Sequence, residues 1–201
     1  MLDCMERRAF IGGIAINWLA AGPVCAVEPA GAVETSQGEC YALSARARRN
    51  LASTEKVFIG DAVATGVQSS LGLRLGAATQ VKLGSEARLR IDRFLVNAGG
   101  TLVLERGAML YDHDETAGPN HVTVSSPFGL VAVRGTRFFA GPSKGVFGVF
   151  VQRGAVTVVG VNTAVLVASG FGTDIAIPGA EPTVPTPWGA ARIASAMASV
   201  E

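Results

Sequence analysis

Leucine, isoleucine and valine recur at every second position in a series of short units between residues 71 and 104. Leu71, Leu73 and Leu75 alternate with Gly72 and Arg74; Val81 and Leu83 follow, then Ala87, Leu89 and Ile91, then Leu102 and Leu104. A period of two places the apolar side chains on one face of a half-buried strand. Gly84, Gly99-Gly100 and Gly107 punctuate the units, which recur every ~8 to 12 residues, the spacing of an all-β sandwich, barrel or short solenoid. No sustained helical period interrupts them. The predicted fold is therefore all-β, with short strands in a squat β-helix-like or sandwich arrangement. The 25 glycines and 9 prolines among 201 residues suit many brief strands and turns, and the length fits one domain.

The segment ahead of the strands has a different character. Met5-Glu6-Arg7-Arg8 precedes an apolar run from Phe10 to Ala21 that is too short to span a bilayer and contains Asn17, with Pro23 just beyond. Val24-Cys25-Ala26 offers a small-residue cleavage step. Residues 1–26 read as an export signal helix, removed after Ala26, with no permanent anchor left behind. The arginine pair resembles a twin-arginine signal, and a general secretory signal with two arginines is the alternative. Gly22-Pro23-Val24 does not resemble a lipobox. Cleavage would leave Cys40 alone, unable to form an internal disulfide, so stability in an oxidising periplasm would have to come from packing.

Residues 27–49 read as a linker and entry segment. Cys40-Tyr41-Ala42-Leu43 could join a sheet, whereas Ala45 to Asn50 could equally form a helical turn. Arg46, Arg48 and Arg49 are the densest basic cluster and fit a charged sheet edge. The net charge of +1 is too small to argue for nucleic acid as partner.

The loop Tyr111-Asp112-His113-Asp114-Glu115-Thr116-Ala117-Gly118-Pro119-Asn120-His121 holds both histidines and three clustered carboxylates. Its spacing matches neither a structural zinc pattern nor a calcium-binding loop, and it reads as a solvated hairpin tip. Serines 125, 126, 143 and 169 lie in no nucleophile elbow, so no catalytic residue, metal ligand or cofactor site is expected. Val131 to Phe139 carries Arg134-Gly135-Thr136, where a glycine inside a strand pattern marks a bulge or corner. After Ile177 come four prolines between 178 and 187, then Trp188 and an Ala-rich stretch expected to form a short helix. Trp188 is read as docking on the sheet rather than meeting a partner.

Several pieces together resemble a FecR domain. They are Gly60-Asp61 followed by Thr65-Gly66, Leu71-Gly72-Leu73-Arg74-Leu75, Leu104-Glu105-Arg106-Gly107, Val133-Arg134-Gly135-Thr136-Arg137-Phe138, Val149-Phe150-Val151-Gln152-Arg153-Gly154-Ala155-Val156 and Ala168-Ser169-Gly170. The resemblance assigns residues 50–177 to a FecR-like β domain and 178–201 to a Pro-rich tail and short helix. It implies structural or interaction roles for Gly60, Asp61, Thr65, Gly66, Gly107, Arg134, Gly135, Thr136 and Gly154. It also implies a non-enzymatic binding or scaffold module with a protein or envelope partner. The best-known relatives are transmembrane regulators that sense a loaded iron–siderophore receptor and control a sigma factor. This sequence departs from them in its short lead-in and short tail, and Gly76-Ala77-Ala78-Thr79 replaces an Asp-Gly-Thr-like turn. A ligand sensor using Arg46 to Arg49 and Arg134, or a subunit of a split iron-uptake regulator, are the alternatives.

Overall fold

The computed structural model describes residues 29–44, 47–95, 99–118 and 121–201. The expected signal segment, 1–26, lies outside them. The chain is distributed over two sheets that face each other, visiting them in turn. β1 (Pro29–Gln37) lies in the first sheet, β2 (Cys40–Leu43) and β3 (Arg48–Asn50) in the second, β4 (Lys56–Phe58) in the first and β5 (Ala62–Thr65) in the second. From there the alternation is regular. β6 (Ser70–Leu75) and β7 (Thr79–Leu83) are followed by β8 (Arg88–Leu95) and β9 (Gly99–Arg106) opposite, then by β10 (Met109–His113) alone. β11 (His121–Ser126) and β12 (Gly129–Arg134) return to the second sheet, β13 (Arg137–Ser143) and β14 (Val146–Arg153) to the first. β15 (Ala155–Val159) and β16 (Ala164–Ala168) end the second sheet, and β17 (Phe171–Ile175) and β18 (Thr186–Pro187) end the first, before α1 (Ala190–Ala198).

Each sheet has nine strands among the described residues, in the orders β18-β17-β14-β13-β10-β7-β6-β1-β4 and β16-β15-β12-β11-β9-β8-β5-β2-β3. Both orders advance in the same sense, so the molecule combines the two expected arrangements: a sandwich in its layers and a flattened coil in its winding. Strand parity explains the one exception to antiparallel pairing among the described residues. A pair of strands returns the chain to the end it left, whereas β10 alone carries it to the opposite end, and β11 therefore runs parallel to β9.

The alternation read from sequence sets the core. Leu71, Leu73, Leu75, Val81, Leu83, Leu89, Ile91, Leu102 and Leu104 are all buried between the sheets. Burying each contributes about 1.5 to 3 kcal/mol, offset largely by the entropy of ordering the chain.

Two expectations are corrected. Residues 29–37, read as linker, form β1, which sits between β4 and β6 and buries Ala30 and Val33. The polar loop is no hairpin tip: Asp112 and His113 belong to β10, and Glu115–Ala117 is a single 3-10 turn on the crossing to the other sheet.

A second apolar layer lies outside the first sheet. Leu110, Phe139 and Phe150 point away from the inter-sheet core and are covered by Trp188, Ala196 and Val200. Trp188 stacks on Phe150 with centroids 5.2 Å apart, and the Arg192 guanidinium lies 3.5 Å above its ring. Arg192 donates to both carboxylate oxygens of Asp174, at 2.6 and 3.0 Å, and to the Ser143 hydroxyl at 3.0 Å. Gly148 and Gly172 floor this groove; a Cβ at either position would collide with the indole. The docking of Trp188 follows the expectation from sequence.

Candidate functional site

The nine residues singled out by the resemblance do not gather into one site. Gly60 turns the chain between β4 and β5. The Asp61 carboxylate next to it accepts the Phe58 N–H at 3.0 Å and pairs with Arg49, whose guanidinium also covers the Phe58 ring. At the far end of β5 the Thr65 hydroxyl donates to the Gly84 carbonyl at 2.6 Å and accepts the Ala87 N–H at 2.9 Å. Gly66 donates its N–H to the Glu39 carbonyl, and Gly107 backs onto Ala87. These contacts lock strand ends together across the sandwich.

The Arg-Gly-Thr step is a corner, as expected. Gly135 has φ +61°, in the left-handed region that L side chains rarely adopt, and it takes the chain from β12 in one sheet to β13 in the other. Thr136 is fully buried, packs its methyl against Gly154 and offers its carbonyl to the His113 N–H at 3.1 Å. A register shift lies just beyond, between Arg137 and Phe138. Arg134 closes β12 opposite His121; its side chain, like all of Arg46, lies outside the described residues.

Beside this corner the structure assembles a charged cluster. Asp112 accepts from Arg137 at 2.7 Å and from Arg153 at 3.0 Å; Arg153 also donates to the His113 carbonyl at 2.7 Å and pairs with Glu115 at 2.8 Å. The His113 ring is buried, its Nδ1 3.0 Å from the Thr79 hydroxyl and its Nε2 3.0 Å from the Gly118 carbonyl. Since a carbonyl only accepts, Nε2 carries a proton. Asp114 accepts the Thr116 hydroxyl and N–H, which hold its carboxyl below the usual range. The polar cleft here, about 340 Å³, is lined by Arg74, Gln80, Asp112, Asp114, Glu115 and Arg153. Among the described residues no three His, Cys, Asp or Glu side chains converge on a point where a cation could sit. Arg137 and Arg153 were not anticipated; their one signal in the sequence is position, each directly beside a motif residue, Thr136 or Gly154.

The proposed basic strip is not continuous. Arg48 and Arg49 lie on the edge strand β3, six positions from β12 in the strand order, or about 29 Å at ~4.8 Å per strand. Arg48 pairs with Glu39 over the Tyr41 ring, and Arg49 with Asp61, so the cluster is a charged but neutralised edge.

A second, apolar cleft of about 380 Å³ opens at the sandwich rim between Leu104, Pro127, Phe128, Pro142, Val146 and Phe147. Phe128 and Phe147 stack there, 4.5 Å between centroids. It is a place for an apolar or flat group, with Arg106 and Glu105 at its edge.

Two facing sheets with alternating strand pairs, motif residues placed at corners, and a helix docked outside one sheet define a compact all-β domain. Residues 61–157 match the family described as FecR protein, and this span is a FecR domain. No curated protein matches the sequence. Two crystal structures, at 1.65 and 2.50 Å, of a candidate anti-sigma factor from Parabacteroides distasonis ATCC 8503 share the fold, each with a TM-score of 0.55 at 14% identity. The match covers 67% of this chain and 63% or 62% of that one, so less than two thirds of that protein's length is represented.

Proposed function

We propose that this chain is an exported, periplasmic FecR-domain protein that acts by holding a protein partner in envelope signalling, through binding rather than catalysis. The observation that carries the reading is the FecR domain at residues 61–157. The similar protein from P. distasonis is described as a candidate anti-sigma factor, and a partner of the same kind, a sigma factor or a protein that communicates with one, is the natural class for this chain. Residues 1–26 would deliver it through the membrane and be removed.

The apolar cleft beside Phe128 and Phe147 favours a second reading, a sensor for a small glycan or other envelope component that stacks on the aromatic pair. The two are separated by one experiment. Immobilised chain is exposed to envelope extract split into protein and small-molecule fractions, and the melting temperature is followed in each. Retention of one discrete protein at fixed stoichiometry, with no melting shift from the small-molecule fraction, supports the proposal. A shift from that fraction alone, abolished by Phe128→Ala, transfers support to the sensor.

A further inference from the structure

The two sheets present four edge strands, and three of them are poor templates for further pairing. β18 is two residues long and contains Pro187, β4 is three residues long and starts with Lys56, and β3 carries Arg48 and Arg49. β16 differs from all of these. It is five residues of Ala164-Val165-Leu166-Val167-Ala168, with no charge and no proline, and Leu166 is 68% exposed.

The direction of its free backbone groups follows from the hairpin it shares with β15. The Gly160 N–H donates to the Thr163 carbonyl at 2.8 Å, so that pair is hydrogen-bonded, and bonding alternates along the register from there. Val165 and Val167 bond to Val158 and Val156. Ala164, Leu166 and Ala168, opposite Val159, Thr157 and Ala155, turn their N–H and C=O groups outward to the open edge. All three are exposed.

β16 also reads the same in both directions. Antiparallel pairing of two copies about a twofold axis at Leu166 sets Leu against Leu, each Ala164 against the other copy's Ala168, and each Val165 against the other's Val167. The outward groups are those that such pairing requires: three pairs exchange about six hydrogen bonds. Faces agree as well, since Val165 and Val167, which pack toward the core, meet their counterparts on the inner face while Leu166 meets its own outside. We infer that β16 is a self-recognition edge, through which two copies of this chain join their second sheets into one continuous sheet. A second copy fits better than a foreign strand because a palindromic, uncharged edge is complementary to itself. The inference is independent of the partner proposed above.

Sedimentation equilibrium of the purified chain tests it. The expected result is twice the chain mass, falling to the single mass in Leu166→Lys, which sets like charges face to face on the axis. Leu166 is exposed, so the variant should keep the circular-dichroism spectrum of the parent. In a chain with Cys4 and Cys25 replaced by serine, Leu166→Cys should form an intermolecular disulfide on mild oxidation, because hydrogen-bonded antiparallel residues lie about 5.5 Å apart at Cα. Leu130→Cys, exposed but inside the sheet, should not. A monomeric parent, or a dimer that survives Leu166→Lys and leaves Leu166→Cys unlinked, overturns the inference.

Discussion

Thr65 and Thr136 are both motif threonines and both buried, yet their hydroxyls have opposite fates. That of Thr65 satisfies Gly84 and Ala87, whereas that of Thr136 has no partner among the described residues. Thr65→Val should orphan the Ala87 N–H and destabilise by about 1 to 3 kcal/mol, while Thr136→Val should be neutral or slightly stabilising. Urea midpoints of the two variants decide this, and equal losses would mean that Thr136 is bonded. Tyr111 supplies a test in pH. Burial pushes its phenol up to about 12 from an ordinary 10.0, and the nearby Asp112 charge adds to the shift. The unfolded chain ionises first, so the contribution is whole below pH 10 and is lost as pH rises toward 12, about 3 kcal/mol in all. Tyr111→Phe should flatten the decline in urea stability over that window. At this scale the sequence indicates which residues matter but not what they touch: the partners of Thr65 lie 19 and 22 positions away.

At the scale of elements, the register is the most legible feature. Leu73→Ala and Leu89→Ala should each cost about 2 to 5 kcal/mol, since both side chains are fully buried. A loss below about 0.5 kcal/mol at both positions, measured by denaturant unfolding, would mean an inverted register. β1 escaped notice for a physical reason. Its register against β4 shifts between Pro29 and Gly31, and against β6 between Val33 and Thr35, so its buried positions, Ala30 and Val33, fall out of a period of two. The outer layer left a trace of the opposite kind. Phe138-Phe139-Ala140 and Val149-Phe150-Val151 are continuous apolar runs because both faces of β13 and β14 are covered. Trp188→Ala should cost about 3 to 5 kcal/mol and release α1, read as lost helical ellipticity and protease cleavage after residue 188.

For the whole molecule, the all-β class and brief glycine-hinged strands were readable, whereas the choice between coil and sandwich was not. That choice depends on which strands return within a sheet and which cross, and local periodicity contains no term for it. The basic strip failed for the same reason: Arg49 and Arg134 look alike in sequence but stand six strand positions apart. The Asp112, Arg137 and Arg153 cluster likewise arises only when β10, β13 and β14 come together. The central proposal is that the domain at residues 61–157 works outside the cytoplasm by holding another protein. Photocrosslinking in intact cells, followed by fractionation and intact-mass analysis, tests it most directly. The account predicts a chain beginning at Val27, found in the periplasmic fraction and joined to one discrete envelope protein. Unprocessed chain, uncrosslinked and confined to the cytosol, would contradict it.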